Sequence, residues 1–499
     1  MLGAVLVAFL PQPLEKKARP LALILTAVTL GWSLWLSSQF VLAETGQQFQ
    51  EYLPWIERLG LNYTLGIDGL TLPLAVMNTI LTCIALYSSP LSIRRPRLYY
   101  ALVLIISAAV AGAFLARNFL LFFLFYELEL IPLYLLIAIW GGPRRGYAAT
   151  KFLIYTAISG ILVLAACFGL GFLSGSFAFD YDTLVNHGLP MTQQVVLLGL
   201  LLVGFGIKIP LVPFHTWLPD AHVEASAPIS VLLAGVLLKL GTYGLLRFGF
   251  GLFPDAWQFL APWLASWAVI SILYGSFNAI AQKDMKKMVA YSSIGHMGYI
   301  LLAMAAATPL SLVGALLQML SHGAISGLMF LLVGVVYAKT GTRNLEVLKG
   351  LLNLERGLPL IGTMLIMGVM ASAGIPGMMG FIAEFIVYRG SFPVFPVQTL
   401  LSMFGTILTV VYFLLLANRA FFGRLSAVAE NLPAVQWRDR IPAIILTAVI
   451  ILFGIQPDWL IRWSEPTVAA MAPPSMTARF NPTLPADAPL TAPPLQAAL

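Results

Sequence analysis

The chain has 499 residues, 59% of them hydrophobic, with only 10% Asp, Glu, Lys or Arg and a mean hydropathy of +0.89. Soluble domains carry roughly 25% charge, so a soluble catalytic or nucleotide-binding head is disfavoured, and the length allows a dozen or more membrane helices of ~20 residues. The excess of 28 Lys plus Arg over 21 Asp plus Glu reads as orientation across a bilayer, with no call for nucleic acid as a partner. Cys83 and Cys167 lie in apolar stretches and offer neither a disulfide framework nor zinc or iron-sulfur spacing.

The first predicted helix, residues 1–10, would rise only about 15 Å, short of the ~30 Å of hydrocarbon. It is therefore expected to be the remainder of a span that starts upstream, and it lacks a basic signal-peptide leader. Uncharged stretches 20–43, 69–93 and 98–116 follow as spans two to four. Span five carries Glu127 and Glu129, span six is 152–179, span seven carries Lys208 and span eight Lys239. Span nine is 256–282, and the stretch 288–338 is divided by the Thr308-Pro309 turn into spans ten and eleven. Span twelve carries Glu384, span thirteen is 390–418 and span fourteen 441–457. The Pro-rich residues 466–499 are expected to form an extended tail. The fold class is all-α: a polytopic membrane protein of about fourteen transmembrane helices.

Charges not used to draw the spans support the count. With alternating spans and an outward N-terminus, 20 Lys and Arg fall in inward loops, 6 fall outward, and Lys208 and Lys239 lie within spans. The inward groups include Arg94, Arg95 and Arg97, Arg144 and Arg145, Lys283 to Lys287, Lys339 to Arg356, and Arg438 and Arg440. This is the positive-inside bias along the whole chain, and it places both termini outward.

Two spans contain helix breakers at mid-depth. In residues 207–226, IKIPLVPFHTWLPDAHVEAS, Pro210 and Pro213 cannot donate to the carbonyls of Gly206 and Ile209; in residues 372–385, SAGIPGMMGFIAEF, Pro376 frees the carbonyl of Ser372. Such carbonyls are costly in hydrocarbon unless protein or water satisfies them. The breaks fall in spans seven and twelve, five apart, so units of spans four to eight and nine to thirteen run in opposite directions, the inverted repeat of ion-handling transporters. The predicted divisions are 1–97, 98–248, 249–423, 424–465 and a tail 466–499. Ordinary proline kinks packed against neighbours are the competing reading.

A charge at mid-bilayer costs about 2.5–3.5 kcal/mol, so Glu127, Lys208, Lys239 and Glu384 need partners or water. Buried Glu and Lys are both drawn toward neutrality, where they can exchange protons; static buried salt bridges are the alternative. His296 and His322 on adjacent spans read as a relay between units, as hydrogen-bonded core histidines, or as axial haem ligands. His215, Asp220, His222 and Glu224 match no zinc spacing. Glu127 and Glu129 lie about 200° apart on a helix, so only one can face Lys208, and the break at Pro132 favours Glu127 as that group.

The stretches FYELELIPLYLLIAIWGG from Phe125, IKIPLVPFHTWLPDAHVEAS, LLKLGTYGLLRF from Leu237, KKMVAYSSIGHMGYI from Lys286, QMLSHGAISGLMF from Gln318 and SAGIPGMMGFIAEF together resemble the antiporter-like membrane subunits of respiratory complex I, most of all the chain 4 type of the NAD(P)H-quinone oxidoreductases of cyanobacteria and plastids. The resemblance covers residues 68–437. It implies that Glu127, Lys208, Lys239, His296, His322 and Glu384 form a proton relay, in a translocase coupled to quinone reduction elsewhere in a thylakoid complex, with lumenal termini. It further implies that flavin, iron-sulfur clusters and plastoquinone belong to partner subunits or distant sites, and that the partners are other membrane subunits, further antiporter-like chains among them, and lipids. No G-x-G-x-x-G and no Cys cluster occurs in the sequence. Two alternatives stand beside this reading, the large subunit of a multi-subunit sodium/proton antiporter and a purely structural spacer.

Overall fold

The computed structural model describes residues 1–185, 188–355, 357–429 and 432–472. Arg356, Arg479, His187 and the tail beyond 472 lie outside the described residues. The chain begins with a seven-residue helix α1 (Leu2–Ala8) and α2 (Ala18–Gln39), then a hairpin of β1 (Gln48–Ile56) and β2 (Leu61–Ile67). Helices α3 (Thr71–Ser88), α4 (Pro96–Leu115), α5 (Phe119–Leu128), α6 (Leu130–Trp140), α7 (Arg145–Ser174), the short α8 (Tyr181–Val185), α9 (Met191–Lys208) and α10 (Trp217–Glu224) follow. Residues Ala227–Phe250 make one continuous span. In it α11 (Ala227–Leu232) and α12 (Leu238–Gly244) alternate with π-helical turns at Leu233–Leu237 and Leu245–Phe250. The chain closes with α13 (Pro254–Ile280), α14 (Met285–Ala306), α15 (Pro309–Thr340), α16 (Pro359–Ser372), α17 (Met379–Ser391), α18 (Pro396–Phe421), α19 (Trp437–Ile455) and α20 (Asp458–Ala470).

Among the described residues, 11 helices are long and apolar enough to cross a membrane, or 12 if the pair α19 and α20, bent by 70°, is counted as one span. The fourteen expected segments exceed this number because α1 has seven residues and because span twelve is divided into α16 and α17, of 14 and 13 residues. Two local expectations are corrected. The loop after α2 is a twisted antiparallel hairpin, supported by β-forming residues such as Tyr52, Trp55, Tyr63 and Thr64 and turned at Gly60, whose φ of 63° favours glycine. The chain does not become extended at Pro466: α20 runs through it to Ala470, with Leu460, Ser464 and Val468 buried on one face and Thr467 Oγ1 accepting from Gly69 N at 3.0 Å.

The loops sort onto two faces. On one, the hairpin meets the start of α5 and the turn before α8, through Asn118 Nδ2 to the Gly60 carbonyl (2.9 Å) and Asn62 Nδ2 to Asp180 Oδ2 (2.8 Å). On the other, basic residues gather: Lys339 pairs with Asp439 (3.1 Å), Arg343 with Asp284 (3.2 Å) and Lys283 with Glu346 (2.7 Å). These are called the hairpin face and the basic face below. Between them helix packing relies on close approach, since apolar burial gains little in lipid. A methyl on Gly275 of α13 would lie 2.7 Å from the backbone of Gly295 on α14.

Both breaks occur where the prolines place them. α9 stops at Lys208, and carbonyls released in its last turn are taken up by protein: Gly206 O accepts from Leu211 N (2.8 Å) and Ile207 O from Trp217 Nε1 (2.8 Å). α16 stops at Ser372, with Met370 O accepting from Ile375 N (3.1 Å). The α10–α11 stretch packs on α14 and α15, and this contact brings the ionisable groups together.

Candidate functional site: a file of buried ionisable groups

The first cluster surrounds the end of α9. Pro132 has no N–H for the Leu128 carbonyl, and the fifth span parts there into α5 and α6 with Glu129 as the turn between them. Glu129 is fully buried and forms an ion pair with Lys208 Nζ. Lys208 also lies 4.5 Å from the centre of the Tyr126 ring, whose hydroxyl meets Ser159 Oγ at 2.8 Å. The expected facing is thereby corrected: Glu129, in the turn opened by Pro132, holds Lys208, whereas Glu127 is half-buried against Gly160 of α7 and its Oε1 has no hydrogen-bond partner among the described residues.

The second cluster links the Lys239 span with α14, α15 and α17. Lys239, between the two π-turns, is wholly buried; its Nζ donates to the Ala234 carbonyl at 2.7 Å and meets His322 Nδ1 at 2.7 Å. π-turns of this kind recur at functional sites. His322 and His296 follow at a ring separation of 5.6 Å. His296 Nδ1 lies 2.7 Å from the Ser292 carbonyl, which can only accept, so the ring carries hydrogen on Nδ1 and presents Nε2 to Glu384 Oε1 at 3.8 Å. Glu384 Oε2 accepts from Thr406 Oγ1 at 2.8 Å, and Thr406 in turn meets the Tyr388 hydroxyl at 2.5 Å.

A cavity with about 10 Å³ of room for water centres is lined by Ser292, His296, Gln318, His322, Ser372 and Glu384. That is the room of about one water molecule. Facing it, His322 Nε2 and Gln318 Oε1 have no protein hydrogen-bond partner among the described residues, so a water there would have the polar neighbours it needs.

The two clusters adjoin, since a methyl on Gly241 of α12 would lie 3.2 Å from Lys208 Cβ. Of the predicted groups, Lys239, His322, His296 and Glu384 thus form one file, Lys208 lies beside it with Glu129 as counter-ion, and Glu127 stands to one side. Sequence reasoning gave Glu129 no part in the Lys208 pair and set His222 aside. His222 is fully buried, stacked on Phe330 at 4.2 Å, and neither ring nitrogen has a partner among the described residues. Its neighbours in sequence turn elsewhere: His215 to the Tyr274 ring, Asp220 to Lys151 (2.7 Å) and Glu224 to the Arg144 N–H (2.8 Å).

Comparison with known proteins agrees with the fold. Residues 116–410 match the family described as NADH:quinone oxidoreductase/Mrp antiporter, transmembrane. The chain is 40% identical over 433 residues to NAD(P)H-quinone oxidoreductase chain 4-2 of Synechocystis sp., covering 85% of this chain and 77% of that protein. It is 38% identical over 482 residues to chain 4 2 of Thermosynechococcus vestitus, covering 95% and 90%. Among solved structures, a chain of respiratory complex I from Thermus thermophilus matches with a TM-score of 0.85 and 26% identity, covering 94% of this chain and 97% of that one. A chain of the Mrp complex from Dietzia sp. shares the fold, with a TM-score of 0.81 and 22% identity, over 94% of this chain and 51% of that one. With its broken helices and relatives of this identity and coverage, the chain belongs to the antiporter-like membrane subunits of complex I, in the NAD(P)H-quinone oxidoreductase chain 4 family.

Proposed function

We propose that this chain is a proton-translocating membrane subunit of an oxidoreductase that passes electrons from NAD(P)H or ferredoxin to plastoquinone, with quinone reduction elsewhere in the complex driving protons through this chain. The observation that carries the reading is the file Lys239, His322, His296, Glu384 across the contact between units. Protonated Lys239 can only donate to His322 Nδ1, and neutral Lys239 can accept from it, so the contact serves both states and moves a proton by exchanging donor and acceptor. The 3.8 Å separation from His296 Nε2 to Glu384 is too long for a direct hydrogen bond and suits transfer through one water. Lys208 with Glu129 or Glu127 supplies the group next to the file.

The electron carriers, flavin or iron-sulfur clusters, and plastoquinone are assigned to partner subunits or distant sites, and the partners are further membrane chains, other antiporter-like ones included, with lipid around them. The basic face is assigned to the cytoplasmic or stromal side of a thylakoid membrane and both termini to the lumen. Lys208→Met and Glu384→Gln in membrane vesicles, with proton uptake followed by a pH-sensitive dye beside quinone reduction, should lower pumping while the complex assembles; full pumping with either change would favour the structural spacer. Cysteines placed at 94–97 and at 180–185 should label from opposite sides, and labelling of both from one side would refute the orientation. The shared fold with the Mrp chain keeps a sodium/proton antiporter as the second reading, and purification without iron-sulfur or quinone-site subunits would favour it.

A further inference from the structure

At the hairpin-face end of the Lys239 span lies a charged cluster that the relay does not use. Asp68, in the turn between β2 and α3, pairs with Arg247 in the second π-turn; the two are 1% and 5% exposed. Asp68 Oδ1 accepts from the N–H groups of Leu70 (3.1 Å) and Thr71 (3.0 Å), and Oδ2 accepts from Arg247 and from Gln47 Nε2 (2.5 Å). The Arg247 guanidinium lies 5.5 Å and 5.7 Å from the ring centres of Tyr181 and Tyr243. Arg117, 8% exposed, lies 4.8 Å from the Tyr181 ring and reaches Asp182 at 2.7 Å, whose side chain is 86% exposed. Among the described residues of this cluster, the buried charges are therefore two guanidiniums and one carboxylate.

Arg247 is eight residues beyond Lys239, about 12 Å along a helix axis, and Lys239 turns the other way, to Ala234. Tyr243, between them, has its hydroxyl hydrogen directed to the Phe114 carbonyl at 2.8 Å. A guanidinium stays protonated and has no acceptor, so it cannot receive a proton from a relay. A net positive charge fixed in a dry site also raises the energy of any cation approaching it, the means by which arginines exclude protons from pores.

We propose that Arg247, held by Asp68 and seconded by Arg117, is a proton-excluding plug that closes the Lys239 span toward the hairpin face. Protons that reach Lys239 then leave only along His322, His296 and Glu384. The proposal rests on the proton-translocating function above. A simple staple that fastens the β2–α3 turn to the span is the competing role, and charge separates the two.

The test uses the whole complex in liposomes, unmodified and with Arg247→Gln, Asp68→Asn or both. Passive proton leak is read with an internal pH dye under a potassium diffusion potential set by valinomycin, with no electron donor or quinone. One net charge at ~12 Å and an effective dielectric near 20 is worth on the order of tenfold, so Arg247→Gln, which removes one positive charge, should leak about tenfold faster and pump fewer protons per quinone reduced, whereas the double variant, which removes one charge of each sign, should leak like the unmodified complex. Asp68→Asn breaks the pair but keeps the cation, and its leak should stay low. The double variant unfastens the turn without changing the net charge and so separates plug from staple, and Arg117→Gln, which removes one positive charge while keeping the Asp68–Arg247 pair, decides the matter if Arg247→Gln alone does not assemble. Normal leak in the assembled Arg247→Gln or Arg117→Gln variant, a leak in the double variant as large as in Arg247→Gln, equal leak in Asp68→Asn and Arg247→Gln, or failure of every variant to assemble would overturn the plug. Failure of the unmodified complex to pump during quinone reduction would instead count against the proposed function, which the turnover-free leak assay does not depend on.

Discussion

Glu129→Gln and Glu127→Gln should have separable consequences. The Glu129 carboxylate is the counter-ion of a Lys208 that is itself 2% exposed, so the amide leaves an ammonium in a low-dielectric site. Removing one partner of a buried pair costs about 3–5 kcal/mol. The isosteric amide oxygen still accepts from the ammonium, and a hydrogen bond to a charged group returns about 1.5–3 kcal/mol, leaving a loss of about 1–3 kcal/mol. Domains of 150–250 residues lose about 2–4 °C per kcal/mol, and larger chains less, so the apparent Tm of the purified complex should fall by about 2–5 °C. Glu127 Oε1 has no hydrogen-bond partner to lose, and Glu127→Gln should stay within about 0.5 kcal/mol while lowering pumping in vesicles. Lys208→Met placed on Glu129→Gln should recover the Tm, because the neutral pair leaves no orphan charge. Equal Tm losses from the two glutamine variants, or no recovery in the double variant, would refute the assignment of Glu129 as the partner of Lys208.

A methyl at Gly160 would lie 2.3 Å from Glu127 Oε1, so Gly160→Ala should displace that carboxyl and reproduce the pumping loss of Glu127→Gln with little change in Tm, as vesicle pumping beside a thermal melt would show. Lys239→Met removes the 2.7 Å contact to His322 and should lower the rate of proton uptake during quinone reduction by about 100-fold, the usual contribution of a proton-transfer group. Burial pushes the Asp68 carboxyl up, but Arg247, the Thr71 N–H and Arg117 outweigh it and hold the group below the usual carboxylate range. Its stabilisation is therefore complete above the unfolded value of about 3.9 and is lost as pH falls through the lower folded value, so melts of the complex below about pH 4 should show an acid-side fall that Asp68→Asn lessens.

The order of helices was legible because hydropathy and charge are one-dimensional signals: the gaps between Arg94 to Arg97, Arg144 and Lys283 correspond to helices found, and Pro210, Pro213 and Pro376 mark breaks that occur. What was not legible depends on rotation and on partners distant in sequence. Counting 100° steps separates Glu127 from Glu129 but cannot say which meets Lys208, 79 residues away from Glu129, because the helix parts at Glu129 and the phase is reset. The hairpin was missed because Pro54 and Glu51 interrupt β1, and α20 because Pro466 signals a stop that the burial of Ser464, Thr467 and Val468 around it overrides. His222 carries no signal beyond its type; only the fold stacks its ring on Phe330.

The two breaks also explain why carboxylates are required. Lys208 closes the last turn of α9, and the imidazole of His296 lies against the backbone of Ser372, which closes α16. Each half-helix thus turns its negative end toward a group that can carry positive charge. Such an end is worth about 0.3–1 kcal/mol, and ~2 at best in a partly buried setting, against about 2.5–3.5 kcal/mol for a cation at mid-bilayer on the lenient scale. The dipole alone therefore leaves the cation unfavourable, and each unit adds one carboxylate from outside the half-helix that faces the cation: Glu129 from the α5–α6 turn in the first, Glu384 from α17 in the second. A positive charge arriving at either end is offset only while its carboxylate is ionised. At each break, then, the carboxylate is the group whose protonation should decide whether the neighbouring base can hold its proton, so Glu129→Gln and Glu384→Gln should each lower pumping in the vesicle assay.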